Sequence, residues 1–461
     1  MTILEKLVLP EIRELILEKD LGTLRSVLNR WLPADIADLV SDLGLPEGLV
    51  AFRVLEPKLA AATFAYLTYP TQEELLKILP EPELAGILNQ LAPDDRTALL
   101  ERLPHDEVER LLTLLTPDQQ RIARSLLSYG AGTVGRLMNP DFIGVRDDWP
   151  ISQVLEHVRR VGKDRESLNA VYVTDDDQHL IDDIRMRQIL LSVPDKRVHE
   201  LMDRQFIALN VTDEEAVAVE QFRKYDRTVL PVIDRRGVLL GVVTVDDVLD
   251  VAEETATREI QKLGGLEALD EPYVATPVLE LVRKRATWLV VLFLGEMLTA
   301  SAMGAFESEI EKAVVLALFV PLIISSGGNS GSQAATLIVR AMAVGEITLQ
   351  DWWMVMQREI LSGLMLGIVL AIIGFARIAL WTLFTNIYGP HWVLVGLTVA
   401  VSLVFIVLWG TISGSMLPLI IKRFGIDPAT SSAPFVATLV DVTGLIIYFT
   451  VAMVILRGTL L

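Results

Sequence analysis

The 461-residue sequence contains no cysteine, which excludes disulfides and thiolate metal centres and suits a reducing compartment. Histidine is scarce as well. There are five, and only His391 lies after Ala286, so the stretch from there onward has neither an imidazole metal cluster nor a nucleophile–base pair. Net charge is also nearly missing from that stretch. It holds nine acids and seven bases, a net of −2, which leaves −17 of the chain's −19 to the part before it. An acidic leading part argues against nucleic acid as a partner and favours cations, although a plain solvated acidic surface gives the same number. The opening residues MTILEKLVLPEIRELI lack a basic segment followed by an apolar core. They do not read as a signal peptide, and the leading domains are expected in the cytoplasm.

What the leading part does have is rhythm. Between about Leu7 and Leu127 apolar residues recur three and four apart, the period of amphipathic helices. Pro33, Pro57, Pro80 and Pro104 are spaced 24, 23 and 24, and Pro46, Pro70, Pro93 and Pro117 repeat that spacing. Proline in a helix's first turn loses no hydrogen bond, and Asp94, Asp95, Asp106 and Asp118 just behind favour the positive helix end. Two helices per period predict an all-α superhelix over residues 1–130, a docking module or plain scaffold with no catalytic constellation.

A second repeat follows, with Leu137-Met138 and Phe142-Ile143 recurring 64 residues on as Leu201-Met202 and Phe206-Ile207. In the second copy a strand is predicted over Thr228 to Ile233, a turn over Asp234 to Gly237, a strand over Leu239 to Thr244 and a helix from Val245. The run RTVLPVIDRRGVLLGVVTVDDVLDV resembles a CBS domain, and residues 131–250 resemble a tandem α/β pair of them. That resemblance implies a regulatory module for an adenine nucleotide such as ATP, its ribose held by an Asp three residues after a Ser or Thr. Thr244 and Asp247 match. The first copy departs from the pattern, with Asp182-Asp183 where a small residue and a hydrophobe are usual and Gln188 where the Asp is expected. Arg187 is its candidate phosphate contact.

Residues 251–285 read as a connecting helix: the helical period runs to Lys262, Gly264-Gly265 breaks it, and a second helix leads on. Among Asp246, Asp247, Asp250, Glu253, Glu254 and Glu259 several lie three or four apart, where like charges repel by a few tenths of a kcal/mol per pair unless a cation intervenes. Magnesium typically takes one or two carboxylates and keeps its waters.

Over residues 286–461 five apolar stretches follow: Trp288 to Phe306, Ala313 to Ser325, Leu361 to Phe384, Val393 to Ile421 and Pro434 to Leu456. Basic residues flank them on alternate sides, Arg283 to Arg285, then Arg340 and Arg358, then Lys422 and Arg423, which predicts a cytoplasmic N-terminus. The last stretch carries a single charge, Asp441, and centring an acid in a membrane costs about 2.5 kcal/mol or more. It needs a water path, an ion or a basic partner, and Arg377 toward the outer end of its own stretch is the base available. The run SSGGNSGSQ after Pro321, with Gly410, Gly414, Pro418 and Pro434, is expected to break helices around that acid; close helix packing, suggested also by Gly363 and Gly367, is the alternative.

The stretch GGNSGSQAATLIVR, the pair Phe306-Glu307 and DPATSSAPFVATLVDVTGLIIYF together resemble the MgtE magnesium channel family, in the same order of domains over nearly the whole chain. The resemblance implies a homodimer in the cell inner (plasma) membrane, a pore at the subunit interface, an Asp that binds hydrated Mg²⁺, and cytoplasmic domains that close the gate when internal Mg²⁺ is high. Carried onto this sequence, the ion path takes Asp441, Ala437, Thr438, Gly328, Asn329, Ser332 and Thr336. The regulatory Mg²⁺ set takes Asp94, Asp95, Glu214, Asp226, Asp246, Asp247, Asp250, Glu254, Glu259 and Asp427. Ala433 and Ser332 depart from the family near the pore, and Thr255 and Arg258 stand where acids are usual, which implies fewer or weaker sensor ions. The expectation is a multidomain membrane protein: helical superhelix, CBS pair, connecting helix and five-span domain. Its function is expected to be Mg²⁺ influx, with a Na⁺- or H⁺-coupled divalent-cation transporter as the alternative and no enzyme.

Overall fold

Prolines set the helix starts in the computed structural model, which describes residues 3–460 apart from 270–272, 274–275 and 429–432. The chain forms two compact units, Met1–Glu254 and Thr255–Leu461. The first begins with ten helices: α1 (Ile3–Leu17), α2 (Leu21–Leu28), α3 (Pro33–Leu43), α4 (Leu45–Arg53), α5 (Pro57–Tyr66), α6 (Tyr69–Ile78), α7 (Glu81–Gln90), α8 (Pro93–Glu101), α9 (His105–Thr113) and α10 (Pro117–Leu127). Pro33, Pro57, Pro93 and Pro117 are first helical residues and Pro46 and Pro70 second ones, while Pro80 and Pro104 sit just before α7 and α9. Each helix buries one apolar stripe on its neighbours, with Leu24, Ile36, Phe64, Leu75, Leu84 and Leu88 in one continuous core. Arg96 of α8 is 0% exposed, and its guanidinium donates to the Leu88 carbonyl at 3.0 Å and to Gln119 Oε1 at 2.5 Å.

After the short α11 (Val134–Leu137) come two copies of one sheet. In the first, β1 (Gly144–Val145) pairs in parallel with β2 (Ala170–Thr174), which pairs antiparallel with β3 (Leu180–Arg185). In the second, β4 (Leu209–Asn210), β5 (Val229–Ile233) and β6 (Leu239–Thr244) repeat that order. Helices α12 (Ile151–Val161) and α13 (Met186–Leu190) belong to the first copy, and α14 (Glu215–Tyr225) and α15 (Val245–Leu263) to the second. The acids that set the first copy apart have structural work: Asp182 accepts from the Arg204 amide at 2.9 Å, and Asp183 pairs with Arg227 of the second copy at 3.1 Å.

The second unit contains α16 (Val278–Ala305), the short α17 (Glu307–Lys312), α18 (Val320–Ala343), α19 (Trp352–Trp381), α20 (Trp392–Arg423) and α21 (Ala433–Leu456). Among the described residues five segments are long and apolar enough to cross a membrane: Val278–Ala305, Val314–Ala343, Leu349–Trp381, Trp392–Arg423 and Ala433–Leu456. Two expectations fail here. The second span runs past Ser325 to Ala343, and α18 is unbroken through SSGGNSGSQ, as α20 is through Gly410, Gly414 and Pro418. The glycines serve contact instead. A Cβ on Gly410 would stand 2.5 Å from the Gly327 carbonyl oxygen, and one on Gly331 would stand 3.1 Å from that of Gly410, so α18 and α20 touch backbone to backbone. Gly367 does the same for α19, where a Cβ would lie 2.8 Å from Val404 Cα of α20.

Candidate ion sites

The unbroken α18 is apolar and buried on one side, through Ile323, Gly327, Gly331, Ala335 and Ile338. A polar stripe runs along its exposed side, beside the exposed Leu322 and Leu337. Ser325, Asn329, Gln333, Thr336 and Arg340 are all exposed and follow one another at helical spacing. Hydrocarbon cannot solvate such a stripe, so it must border water or protein. Asp441 of α21 is half-buried beside it: a Cβ on Gly328 would be 3.2 Å from Asp441 Oδ1 and 3.4 Å from Ala437 Cβ, so glycine gives the carboxylate room close against α18. Among the described residues Asp441 makes no hydrogen bond or ion pair. Arg377, the candidate partner, instead lies 5.5 Å over the Trp381 ring. Ser332 Oγ donates to the Ala433 carbonyl at 3.0 Å, fixing the start of α21, while Thr336 and Thr438 bond back to Ser332 and Pro434 within their own helices. Asn329 donates to Ser325 Oγ at 3.3 Å. Of the stretch leading into α21, residues 429–432 lie outside the described residues.

Asp427, just before that stretch, pairs with Lys262 of α15 at 2.6 Å. Partial burial, then the charge of Asp427, raises the neighbouring Glu259 carboxyl above its ordinary value.

A second acidic centre lies within the first unit, where α8 meets the paired sheets. Asn139, 2% exposed, is held by mutual backbone bonds with Val242 at 2.8 Å, and its side-chain amide donates to Asp94 at 3.1 Å and to Glu166 at 2.7 Å. On α15, Asp247 accepts from Thr244 Oγ1 at 2.6 Å. Asp94 is 6% exposed, and burial, then the charge of Asp247, pushes its carboxyl well above the usual range. Burial lifts Asp247 to about 7 against the bond from Thr244. Asp95 still reaches solvent, yet partial desolvation and then Asp246 and Asp250 raise it to about 6. Asp250 and Glu166 are shifted upward too, chiefly by burial. Among the described residues no group of three or more His, Asp or Glu has the geometry to grip a metal ion directly.

Because these carboxyls titrate higher in the folded chain than the ordinary value near 3.8, the folded state binds more protons than the unfolded one across that interval. Their contribution to stability is present at low pH and lost as pH rises through about 6 to 7. In chelator, the full chain in detergent is expected to show a lower thermal midpoint at about pH 7.5 than at about pH 5, and Asp94→Asn is expected to flatten that dependence.

The other candidates are exposed on their elements. Glu214 is the exposed residue before α14, and Asp226 closes that helix in a left-handed conformation at φ 47°. Glu254 is exposed on α15, and Arg187 is exposed on α13.

A protein named magnesium transporter MgtE from Thermus thermophilus is 37% identical over 451 residues, 97% of this chain and 98% of its own length. The chain belongs to the MgtE family. The family pattern described as divalent cation transporter matches residues 320–451, the MgtE intracellular N domain matches 31–132, and CBS domains match 134–195 and 198–254. A Bacillus subtilis magnesium transporter MgtE is 26% identical over 93% of each chain. The crystal structure of the cytosolic domain of the Mg²⁺ channel MgtE in complex with ATP superposes with TM-score 0.51 at 32% identity, covering 53% of this chain and 99% of that one. A crystal structure of the soluble part of a magnesium transporter gives TM-score 0.52 at 22% identity over 55% of this chain and 99% of its own, a likeness of fold. MgtE is a family of transporters, not of enzymes, and this member is a multi-pass membrane protein.

Sequence reasoning missed Asn139 and Glu166, which only the fold brings to Asp94. It also missed Ser325 and Gln333, whose signal is the period of polar residues along an apolar helix.

Proposed function

We propose that the chain is an Mg²⁺-selective channel, working as a homodimer in the cell inner (plasma) membrane with its N-terminal unit in the cytoplasm, and that cytoplasmic Mg²⁺ closes it. The observation that carries the reading is Asp441, which has no hydrogen-bond or ion-pair partner among the described residues of its membrane span's surroundings and lies at Gly328 against the polar stripe of α18. Magnesium sheds water reluctantly and binds through one or two carboxylates, so one Asp from each of two copies would hold the hydrated ion without trapping it. Asn329, Ser332 and Thr336 would meet its waters, while Ala437 and Thr438 leave room beside the acid. The names of the relatives support Mg²⁺ as the substrate. The bases at Arg283 to Arg285, Arg340, Arg358, Lys422 and Arg423 support the orientation.

For closure, Asp94, Asp95, Asp246, Asp247 and Asp250 are the proposed sensor. With internal Mg²⁺ present, hydrated ions would screen their mutual repulsion and hold α8 against the paired sheets; without it the repulsion loosens that contact. Asp427 and Glu259 form the proposed counterpart at the end of α15, where Lys262 supplies a cationic partner. Glu214, Asp226 and Glu254 would act as separate surface sites. ATP is proposed for the second CBS copy through Thr244 and Asp247, with Arg187 as the phosphate contact of the first. Flux into liposomes tests the reading: Mg²⁺ is expected to enter down its own gradient with no Na⁺ or pH gradient, whereas strict dependence on either would favour a coupled transporter.

A further inference from the structure

On α16 Leu281, Lys284, Trp288, Leu292, Gly295, Thr299 and Ala302 are among the less exposed residues and recur three or four apart, so the helix lays one stripe on the protein. That stripe meets α21: Trp288 packs on Phe435 with ring centroids 6.0 Å apart, and a Cβ on Gly295 would stand 2.9 Å from Thr438 Cγ2. Glu296 follows Gly295 at the edge of the packed stripe. It is exposed, it makes no hydrogen bond or ion pair among the described residues, and its charge acts on that of Asp441. One turn further along, Thr299 is 8% exposed and its hydroxyl has no hydrogen-bond partner among the described residues.

A carboxylate eleven residues beyond Arg285 is about 16 Å along the helix, well inside the bilayer, and too short to reach the interface. Facing lipid would cost it about 2.5 kcal/mol or more, and a second negative charge near Asp441 adds repulsion. A divalent cation relieves both costs at once. Glu296 offers it a second negative charge, and the Thr299 hydroxyl offers a partner for a water in its shell.

We infer that Glu296 is a second carboxylate of the ion path, contacting the hydrated divalent cation beside Asp441 and favouring it over monovalent ions. This rests on the proposed ion path through Asp441. The test is the full chain in liposomes, with Mg²⁺ uptake, its half-saturating concentration, the Mg²⁺-to-Na⁺ permeability ratio and the thermal midpoint measured for wild type, Glu296→Gln, Glu296→Asp and Asp441→Ala. Glu296→Gln is expected to lower the permeability ratio about fivefold or more at an unchanged thermal midpoint, and Glu296→Asp to recover most of it. A Glu296→Gln variant that matches wild type in uptake, half-saturation and selectivity while Asp441→Ala is dead overturns the inference and leaves the ion path standing. So does a loss that tracks a lowered midpoint and is not recovered by Asp. Wild-type uptake by Asp441→Ala would overturn the ion path itself.

Discussion

Asp441→Ala is expected to cut Mg²⁺ uptake into proteoliposomes about a hundredfold or more while leaving the thermal midpoint within a few degrees of wild type, a loss worth about 2.7 kcal/mol of ion stabilisation. The expectation follows from the surroundings of the residue. Asp441 has no hydrogen-bond or ion-pair partner among the described residues, so removing it breaks no internal bond and relieves the cost of an acid in a membrane span. What disappears is the charge beside the polar stripe of α18. Asp441→Asn keeps the shape and loses the charge, and is expected to be nearly as inactive, whereas Asp441→Glu retains part of the flux. Near-normal uptake by the Asn variant would assign the residue to packing instead.

The second large effect is expected in regulation. In the double variant Asp95→Asn with Asp247→Asn, two carboxylates of the crowded centre between α8 and α15 lose their charge and keep their volume. The cation that balances them is then less needed. Flux with the N-terminal unit's side free of Mg²⁺ is therefore expected to fall toward the closed level, and the concentration of Mg²⁺ that halves what remains to fall about tenfold or more. Flux recordings at stepped Mg²⁺ concentrations measure this, and an unchanged half-closing concentration would remove the cluster from gating. Asp94 is less suitable, because its bond from Asn139 makes it structural as well.

The sequence shows these parts unevenly, for physical reasons. Proline at or just before a helix start loses no hydrogen bond, and its regular recurrence there lets the period of α3 to α10 read directly along the chain. Glycine is ambiguous. In an isolated helix it costs about 1 kcal/mol and reads as a break, but between α18 and α20 close backbone contact offsets that cost, and SSGGNSGSQ stays helical. Asp441 is legible because an acid within an apolar run needs a reason, and Glu296 carries the same signal in the run from Trp288 to Phe306. The cluster around Asp94 is not legible beyond its α15 carboxylates: Asn139 and Glu166 are ordinary loop residues in the sequence and meet Asp94 only because the paired sheets fold against α8. Asp182 and Asp183 look like losses from a nucleotide site, whereas the fold uses them to hold Arg204 and Arg227.

The most direct measurement is Mg²⁺ flux through the full chain in liposomes, with the N-terminal unit facing a bath that is either free of Mg²⁺ or rich in it. Gated conduction predicts rapid Mg²⁺ movement down its gradient in the free bath and its arrest in the rich one. Flux that is absent in both, or indifferent to Mg²⁺ on the N-terminal unit's side, would contradict it.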